Sequence, residues 1–333
     1  MLTPINNLLN LLQSMIRIHK FSKPARDFGK GKVSFPVLLQ VQTVSACNGR
    51  CPFCPYTNMA KELPQGKMQW KTYQKIVDEC VSFPSLQMFT PMLQNEPLLD
   101  KDINKAICYF KERDGGRVPV FIVTNGYLLT PSLSKQLVES ELDHLIISLN
   151  AHKKETYEEL MPGFRFEKVL ANIENLLLSD LRRTKVTLRF LENQKNKDEI
   201  PEALAYWCRR GVCTEVLSFI SNRADTVDVS RLRSKGSEML LSSKIKQKVF
   251  SYFSNCCILP FYQMNILFNG DVLLCCNDWR RNPILGNVNR EKLKDIWEGQ
   301  IARQIRTKVF HRDYKSIEAC KGCSVTEYFE SWG

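Results

Sequence analysis

Six short β-type runs separated by amphipathic stretches precede residue 222 of this 333-residue chain. They read VLLQVQTV, LQMFTPM, VPVFIVT, LDHLIISLN, KVTLRFLE and EVLSFIS. Helical patterns lie between them, over about 71–82, 102–113, 131–140, 153–160, 166–178 and 197–210. Parallel neighbours need a long crossover, and a crossover helix covers the sheet it leaves, so this alternation predicts an α/β fold built of repeated βα units. Within 166–178, Leu170, Ile173, Leu176 and Leu177 recur at the three-and-four spacing that buries one helical face.

The alternation stops after residue 222, where RADTVDVSRLRSKGSEML is polar and reads as a linker or long loop. A second unit starts near Cys256. In FYQMNILFNGDVLLCC an Asn-Gly-Asp turn between apolar runs signals a hairpin. One helix is expected over 292–309, with Leu293, Ile296, Trp297, Ile301 and Ile305 on its buried face. The expected organisation is a helical N-terminal extension over 1–36, a βα body over 37–225, a linker over 226–254 and a small unit over 255–333. No internal repeat is visible.

Hydrophobic content of 44% and charged content of 25% exclude disorder over most of the length. Near the N-terminus, Asn6, Asn7, Asn10 and Gln13 interrupt the apolar run too often for a membrane span, which leaves an amphipathic helix. Thirteen cysteines are an odd number, and no secretory h-region accompanies them, so a reducing, cytoplasmic setting is expected. The net charge of +12 suits an anionic substrate, an acidic peptide or RNA as well as a plain solvated face. No nucleic-acid-binding module is visible.

Cys47, Cys51 and Cys54 form a C-x3-C-x2-C run directly after the first predicted strand. That places them at the carboxyl end of the strand, where parallel βα folds carry their active sites. A zinc knuckle would need a fourth ligand nearby, but His19 and His144 are distant in sequence. Three thiolates suit a 4Fe-4S cluster with one iron left open. Downstream, Cys257, Gly270, Cys275, Cys320 and Cys323 follow a C-x12-G-x4-C, gap, C-x2-C order. Four thiols make a closed site, and spacing alone admits either structural zinc or a cluster. Cys256 or Cys276 stands beside a ligand candidate in each doublet and is able to replace it. The other thiols, Cys80, Cys108, Cys208 and Cys213 among them, read as core by default.

The first motif, with Phe53 in its aromatic position, resembles the signature of the radical S-adenosylmethionine superfamily. The resemblance runs from about residue 37 to the C-terminus. It implies a partial (β/α)6 TIM-type barrel followed by a small C-terminal α+β twitch domain, a hairpin plus helix of the SPASM type. It also implies two 4Fe-4S clusters. In the family, the open iron binds the amino and carboxylate groups of S-adenosylmethionine, and an electron then cleaves that cofactor to a 5′-deoxyadenosyl radical that abstracts hydrogen from substrate. Cys257, Cys275, Cys320 and Cys323 correspond to the ligands of one auxiliary cluster.

The resemblance orders the cofactor contacts. QNEPLL stands where the family has a Gly-Gly-Glu-Pro turn, with Gln94 and Asn95 replacing the glycines and Glu96 and Pro97 in place. Thr124 and Asn125 end the third predicted strand, Ser148 and Asn150 the fourth, and Ser221 the sixth. Arg189 is expected to offer its planar fork to the cofactor carboxylate; its alternative is an interstrand ion pair. Cys213 is a candidate hydrogen donor. The twitch pattern is similar to that of aminocyclitol dehydrogenases and sugar epimerases. The short segment before the first strand leaves no room for the peptide-recognition module of many peptide-modifying relatives. A small polar substrate is therefore expected, such as a sugar, aminocyclitol or nucleoside derivative, to be oxidised or epimerised with electrons from a flavodoxin or ferredoxin. The competing readings are a peptide maturase and a non-catalytic iron-sulfur or zinc protein.

Overall fold

The structure, a computed structural model, describes residues 19–233 and 256–326 apart from Asp180 and Arg182. The expected helix before residue 19 and most of the expected linker lie outside the described residues. A helix over 19–28 (α1) leads to strand β1, Leu38–Val41. The order continues α2 (Tyr56–Met59), α3 (Trp70–Cys80), β2 (Met88–Thr90), α4 (Ile103–Asp114), β3 (Phe121–Thr124), α5 (Pro131–Glu139) and β4 (His144–Ser148). Then come α6 (Lys154–Leu160), α7 (Phe166–Leu177), β5 (Lys185–Leu191), α8 (Ile200–Arg209) and β6 (Cys213–Leu217).

Strands β1 and β2 pair in parallel, and β3 to β6 pair in parallel in chain order. A parallel bridge between Phe89 and Val120 joins the two groups. Strand alternation separates two environments. Leu39, Val41, Phe89, Ile147 and Leu188 are wholly buried and pack toward the helices, where α7 contributes Val169, Ile173 and Leu176. Leu170 and Leu177 are only partly buried and pack at the edge of this core. The other strand face, with Gln40, Ser148 and Arg189, looks into the concave interior.

In the C-terminal unit, α9 (Leu259–Tyr262) runs into β7 (Gln263–Ile266), β8 (Asp271–Leu273) and β9 (Ile284–Asn287). β7 and β8 form the hairpin, antiparallel, and turn through Gly270 at φ 91°. A Cβ at Gly270 would lie 2.4 Å from Asn289 Nδ2, so the turn needs glycine for both its conformation and its space. The sequence did not reveal where this hairpin docks. β7 pairs in parallel with β1, with Leu39 opposite Met264 and Val41 opposite Ile266. All four β7 residues are buried, as expected of a strand covered on both faces.

The single helix expected over 292–309 is two: α10 (Leu293–Glu298) and α11 (Gln300–Phe310). Gly299 divides them with extended backbone, and a Cβ there would meet the Asp295 carbonyl at 2.8 Å. The break resets the helical phase, so Ile301 is exposed while Leu293, Ile296, Trp297 and Ile305 stay buried. Arg306 locks the corner. Its guanidinium lies 3.7 Å from the Trp297 ring centroid, and it donates to the carbonyls of Pro260 (2.9 Å) and Trp297 (2.7 Å). Burial lowers its proton affinity to a pKa of about 9, so a guanidinium at neutral pH stays charged. Arg306→Ala would strand two buried carbonyls and is expected to destabilise the chain by about 3 kcal/mol, read from urea unfolding of the full protein.

Candidate active site

The three-cysteine run occupies the loop after β1, as its position in sequence predicts. Two of its thiols flank Gly49, whose Cβ would lie 3.5 Å from Cys51 Sγ and 3.6 Å from Cys47 Sγ. A methyl group there would sit in ordinary contact with both sulfurs. Burial pushes the Cys47 thiol up to about 12 and raises those of Cys51 and Cys54 as well, with the thiols of Cys47 and Cys54 adding repulsion at Cys51. Thiols held this close and this dry favour a cation that takes up their charge.

Glu96 ties this loop to its neighbours. Its N–H donates to the Ala46 carbonyl at 2.9 Å, directly before Cys47. Its buried carboxylate accepts from Thr124 Oγ1 (2.6 Å), Asn125 N (2.8 Å) and Leu98 N (3.1 Å). Asn125 closes the circuit by donating to Asn48 Oδ1 at 2.8 Å, inside the cysteine loop. Asn48 carried no signal in the sequence beyond its position.

The glycine replacements prove informative. Gln94 keeps the left-handed backbone that glycine favours, at φ 54°, and its side-chain amide donates to the carbonyls of Cys276 (3.2 Å) and Asp278 (3.0 Å). The turn thus gains a strap to the C-terminal unit. Asn95 accepts from Leu93 N at 2.8 Å, and its Nδ2 is buried without a partner. Asn150 is also left-handed, at φ 61°; it accepts from Leu191 N and donates to Met161 Sδ. The Cys51 thiol lies 3.4 Å from the same sulfur, which makes Met161 a site neighbour that periodicity had hidden. Phe53 and Ser148 are half-buried within the loop and at the end of β4.

Two expectations are corrected. Arg189 does not extend a free fork: its Nε and Nη2 both bind Glu215 Oε2, at 2.9 and 2.8 Å, because the two residues are in register on β5 and β6. Cys213 opens β6 at the end of the sheet opposite the cysteine loop and is exposed, so a role as hydrogen donor at the loop does not fit. Cys108 and Cys208 are likewise exposed rather than core.

Ser221 serves a local turn, accepting from Arg223 N at 3.1 Å. The residues after it do the bridging. Arg223, Ala224 and Asp225 are all left-handed, at φ 50°, 57° and 59°. Asn222 donates to the Gly322 carbonyl (2.7 Å) and accepts from Ser324 N (2.9 Å), while Arg223 donates to Asn277 Oδ1 (2.9 Å). The end of β6 is thereby sewn to both limbs of the second cysteine set. There Cys257, Cys275, Cys320 and Cys323 are all buried. Desolvation raises Cys257 and Cys275, with Cys320 adding repulsion at both, and Cys320 is raised to about 12 by burial and by Cys323. Cys256 is buried and Cys276 half-buried beside them.

Among the described residues, no three His, Cys, Asp or Glu side chains converge as ligands of a single ion. A four-iron cluster distributes its thiolates one to each iron and requires no such point. Three thiols beside a clamped carboxylate suit an open cluster, and four buried thiols suit a closed one. The donor chemistry fits both groups.

A partial parallel barrel with an open thiol set at its mouth defines a class of redox enzyme scaffold. The Radical SAM superfamily model matches residues 41–206, and an iron-sulfur cluster-binding SPASM domain matches 256–324. The chain belongs to the radical SAM superfamily and carries a C-terminal SPASM domain. Its cofactors are S-adenosylmethionine and a 4Fe-4S cluster in the first domain and auxiliary iron-sulfur in the second.

The S-adenosyl-L-methionine-dependent 2-deoxy-scyllo-inosamine dehydrogenase of Niallia circulans is 21% identical over 86% of this chain and 92% of its own length. A GTP 3′,8-cyclase of Limosilactobacillus fermentum is 27% identical, but the match covers 55% of this chain and 54% of the cyclase. The chain thus spans about half the length of such relatives. Among solved structures, BtrN in complex with AdoMet and 2-DOIA superposes with a TM-score of 0.61 at 18% identity, covering 88% of this chain and 94% of that one. SuiB of Streptococcus suis bound to the precursor peptide SuiA gives 0.67 at 17% identity, covering 85% and 69%. At these identities the likeness is one of fold.

Burial holds Glu96 at a pKa of about 7 against the three bonds that favour its anion. With the folded-state value raised, stability is greatest below the ordinary carboxylate pKa and is lost as pH rises through about 7. Glu96→Gln is expected to flatten that pH dependence in thermal melts between roughly pH 4.5 and 7. Because an amide nitrogen cannot accept from Asn125 N–H or the Thr124 hydroxyl, the variant should also lose about 1–3 kcal/mol at pH 5.

Proposed function

We propose that this chain is a radical SAM oxidoreductase that removes hydrogen from a hydroxyl-bearing carbon of a small polar substrate. The observation that carries the reading is the placement of the two thiol sets. One is open and lies at the barrel mouth; the other is closed, buried, and strapped to that mouth by Gln94 and by Asn222–Arg223. When bound, the cofactors supply a primary radical at the open site and an electron acceptor at the closed one. The likeness to a 2-deoxy-scyllo-inosamine dehydrogenase over nearly its full length supports oxidation rather than epimerisation.

The chain's own residues then have defined tasks. Cys47, Cys51 and Cys54 hold the open cluster, and Cys257, Cys275, Cys320 and Cys323 hold the auxiliary one. Glu96 fixes the level of the cysteine loop against β3 and presents its carboxylate to the cofactor's ammonium group, with Gln94 and Asn95 shaping the turn. Thr124, Asn125, Ser148 and Asn150 offer polar groups at successive strand ends, where the ribose is expected. Phe53 packs within the loop, and Ser221 shapes the turn that precedes the second site. Arg189, engaged by Glu215, orders the inner wall. A flavodoxin or ferredoxin supplies the priming electron.

Anaerobic reconstitution should yield about eight irons per chain, four for each cluster. Cys51→Ala should lower iron by about half and abolish 5′-deoxyadenosine formation, whereas Cys320→Ala should also halve iron but retain cleavage. With substrate, the product should be two hydrogens lighter by mass spectrometry. An unchanged mass with deuterium taken from solvent would instead indicate epimerisation, and a modified peptide would favour the maturase reading.

A further inference from the structure

The concave face of the sheet holds a set of polar groups that the two thiol sites do not use. Thr90, Gln40 and Asn265 stand side by side on β2, β1 and β7, in register, and Gln263 lies two residues below Asn265. Their strand neighbours Phe89, Leu39, Val41, Met264 and Ile266 belong to the core under the helices, so alternation turns the four polar side chains to the interior. Thr90 and Asn265 are 0% exposed and Gln263 2%. Gln40 is partly buried beside them.

Their hydrogen bonds are incomplete in one direction. Gln40 Nε2 donates to Asn265 Oδ1 (2.7 Å) and Gln263 Oε1 (3.2 Å), which consumes both amide acceptors. Asn265 Nδ2, Gln263 Nε2 and Thr90 Oγ1 are buried without a partner. An unmade bond on a buried polar group costs about 1–3 kcal/mol, so three together on one face are a preorganised demand for oxygen atoms. In the row of Gln263, Leu38 and Met88 are in register and place apolar surface beside these donors. None of the six side chains is charged. Arg189, on the neighbouring sheet of β3 to β6, is engaged by Glu215.

We propose that Thr90, Gln40, Asn265 and Gln263 form the subsite for the substrate ring, and that the ring is polyhydroxylated and carries no phosphate. Amide N–H groups and a threonine hydroxyl bind ring hydroxyls. None of these side chains supplies the cation that a buried phosphate's charge requires. The inference rests on the oxidation proposed above and names the substrate class for it.

The test uses the cluster-loaded protein with S-adenosylmethionine and three probes: 2-deoxy-scyllo-inosamine, myo-inositol and N-acetylglucosamine. The last two are paired with myo-inositol 1-phosphate and N-acetylglucosamine 6-phosphate. Binding is read by saturation-transfer NMR and calorimetry. At least one unphosphorylated ring should bind, and its affinity should fall tenfold or more in Thr90→Val and in Asn265→Leu. Asn265→Asp keeps the acceptor used by Gln40 and replaces the amide donor with a carboxyl, so it should lose affinity and, because the carboxyl is buried, some melting temperature, while iron content stays at the wild-type value. Absence of ring binding, preference for the phosphorylated partner, or affinity unmoved by the three substitutions overturns the subsite. Ring binding that depends on this row, without a product two hydrogens lighter, would instead reject the oxidation reading and leave the subsite standing.

Discussion

The buried carboxylate of Glu96 is the constraint on which the site depends. A carboxylate without solvent needs donors on every side, and those available come from separate elements: Thr124 and Asn125 at the end of β3, and Leu98 in its own turn. The backbone of the same residue holds the segment leading into Cys47. Three strand ends are therefore set to one level by one residue. Loops at strand ends are ordinarily the most variable part of such folds. Here the geometry of the thiols follows from a hydrogen-bond network closed by Asn125 on Asn48.

The second constraint is that the two thiol sites are built as one body. Gln94 belongs to the first site by sequence yet spends its side chain on the second. Arg223 to Asp225 form a left-handed stretch that costs about 1–2 kcal/mol per residue, and Asn222 and Arg223 anchor it on Gly322, Ser324 and Asn277. Strain of this kind persists where surrounding contacts over-determine it. It here joins a barrel strand to the loops around Cys275 and Cys320.

Much of this was legible in the chain because the signals were local. Apolar alternation located the six barrel strands, and cysteine spacing located both thiol sets. What escaped were pairings between distant segments. That β7 seeks β1 depends on two fully buried strands needing each other's backbone, and nothing in QMNI names its partner. Arg189 was expected to face a ligand because its neighbour across the sheet, Glu215, lies 26 positions away in sequence. The split at Gly299 turned on a single residue without a side chain. It moved Ile301 to the surface, which a continuous helical wheel could not anticipate.

Placing β7 against β1 also changes what the C-terminal unit is to the barrel. The backbone N–H and C=O groups along the outer edge of β1 are satisfied only by residues more than two hundred positions later. A chain cut before the hairpin would present that edge bare, a flat apolar template of the kind that recruits strands from other molecules. The iron-sulfur appendage is, in mechanical terms, the hem that keeps the barrel from fraying into aggregates. Acquisition of the second thiol set and protection of the first strand are one structural event.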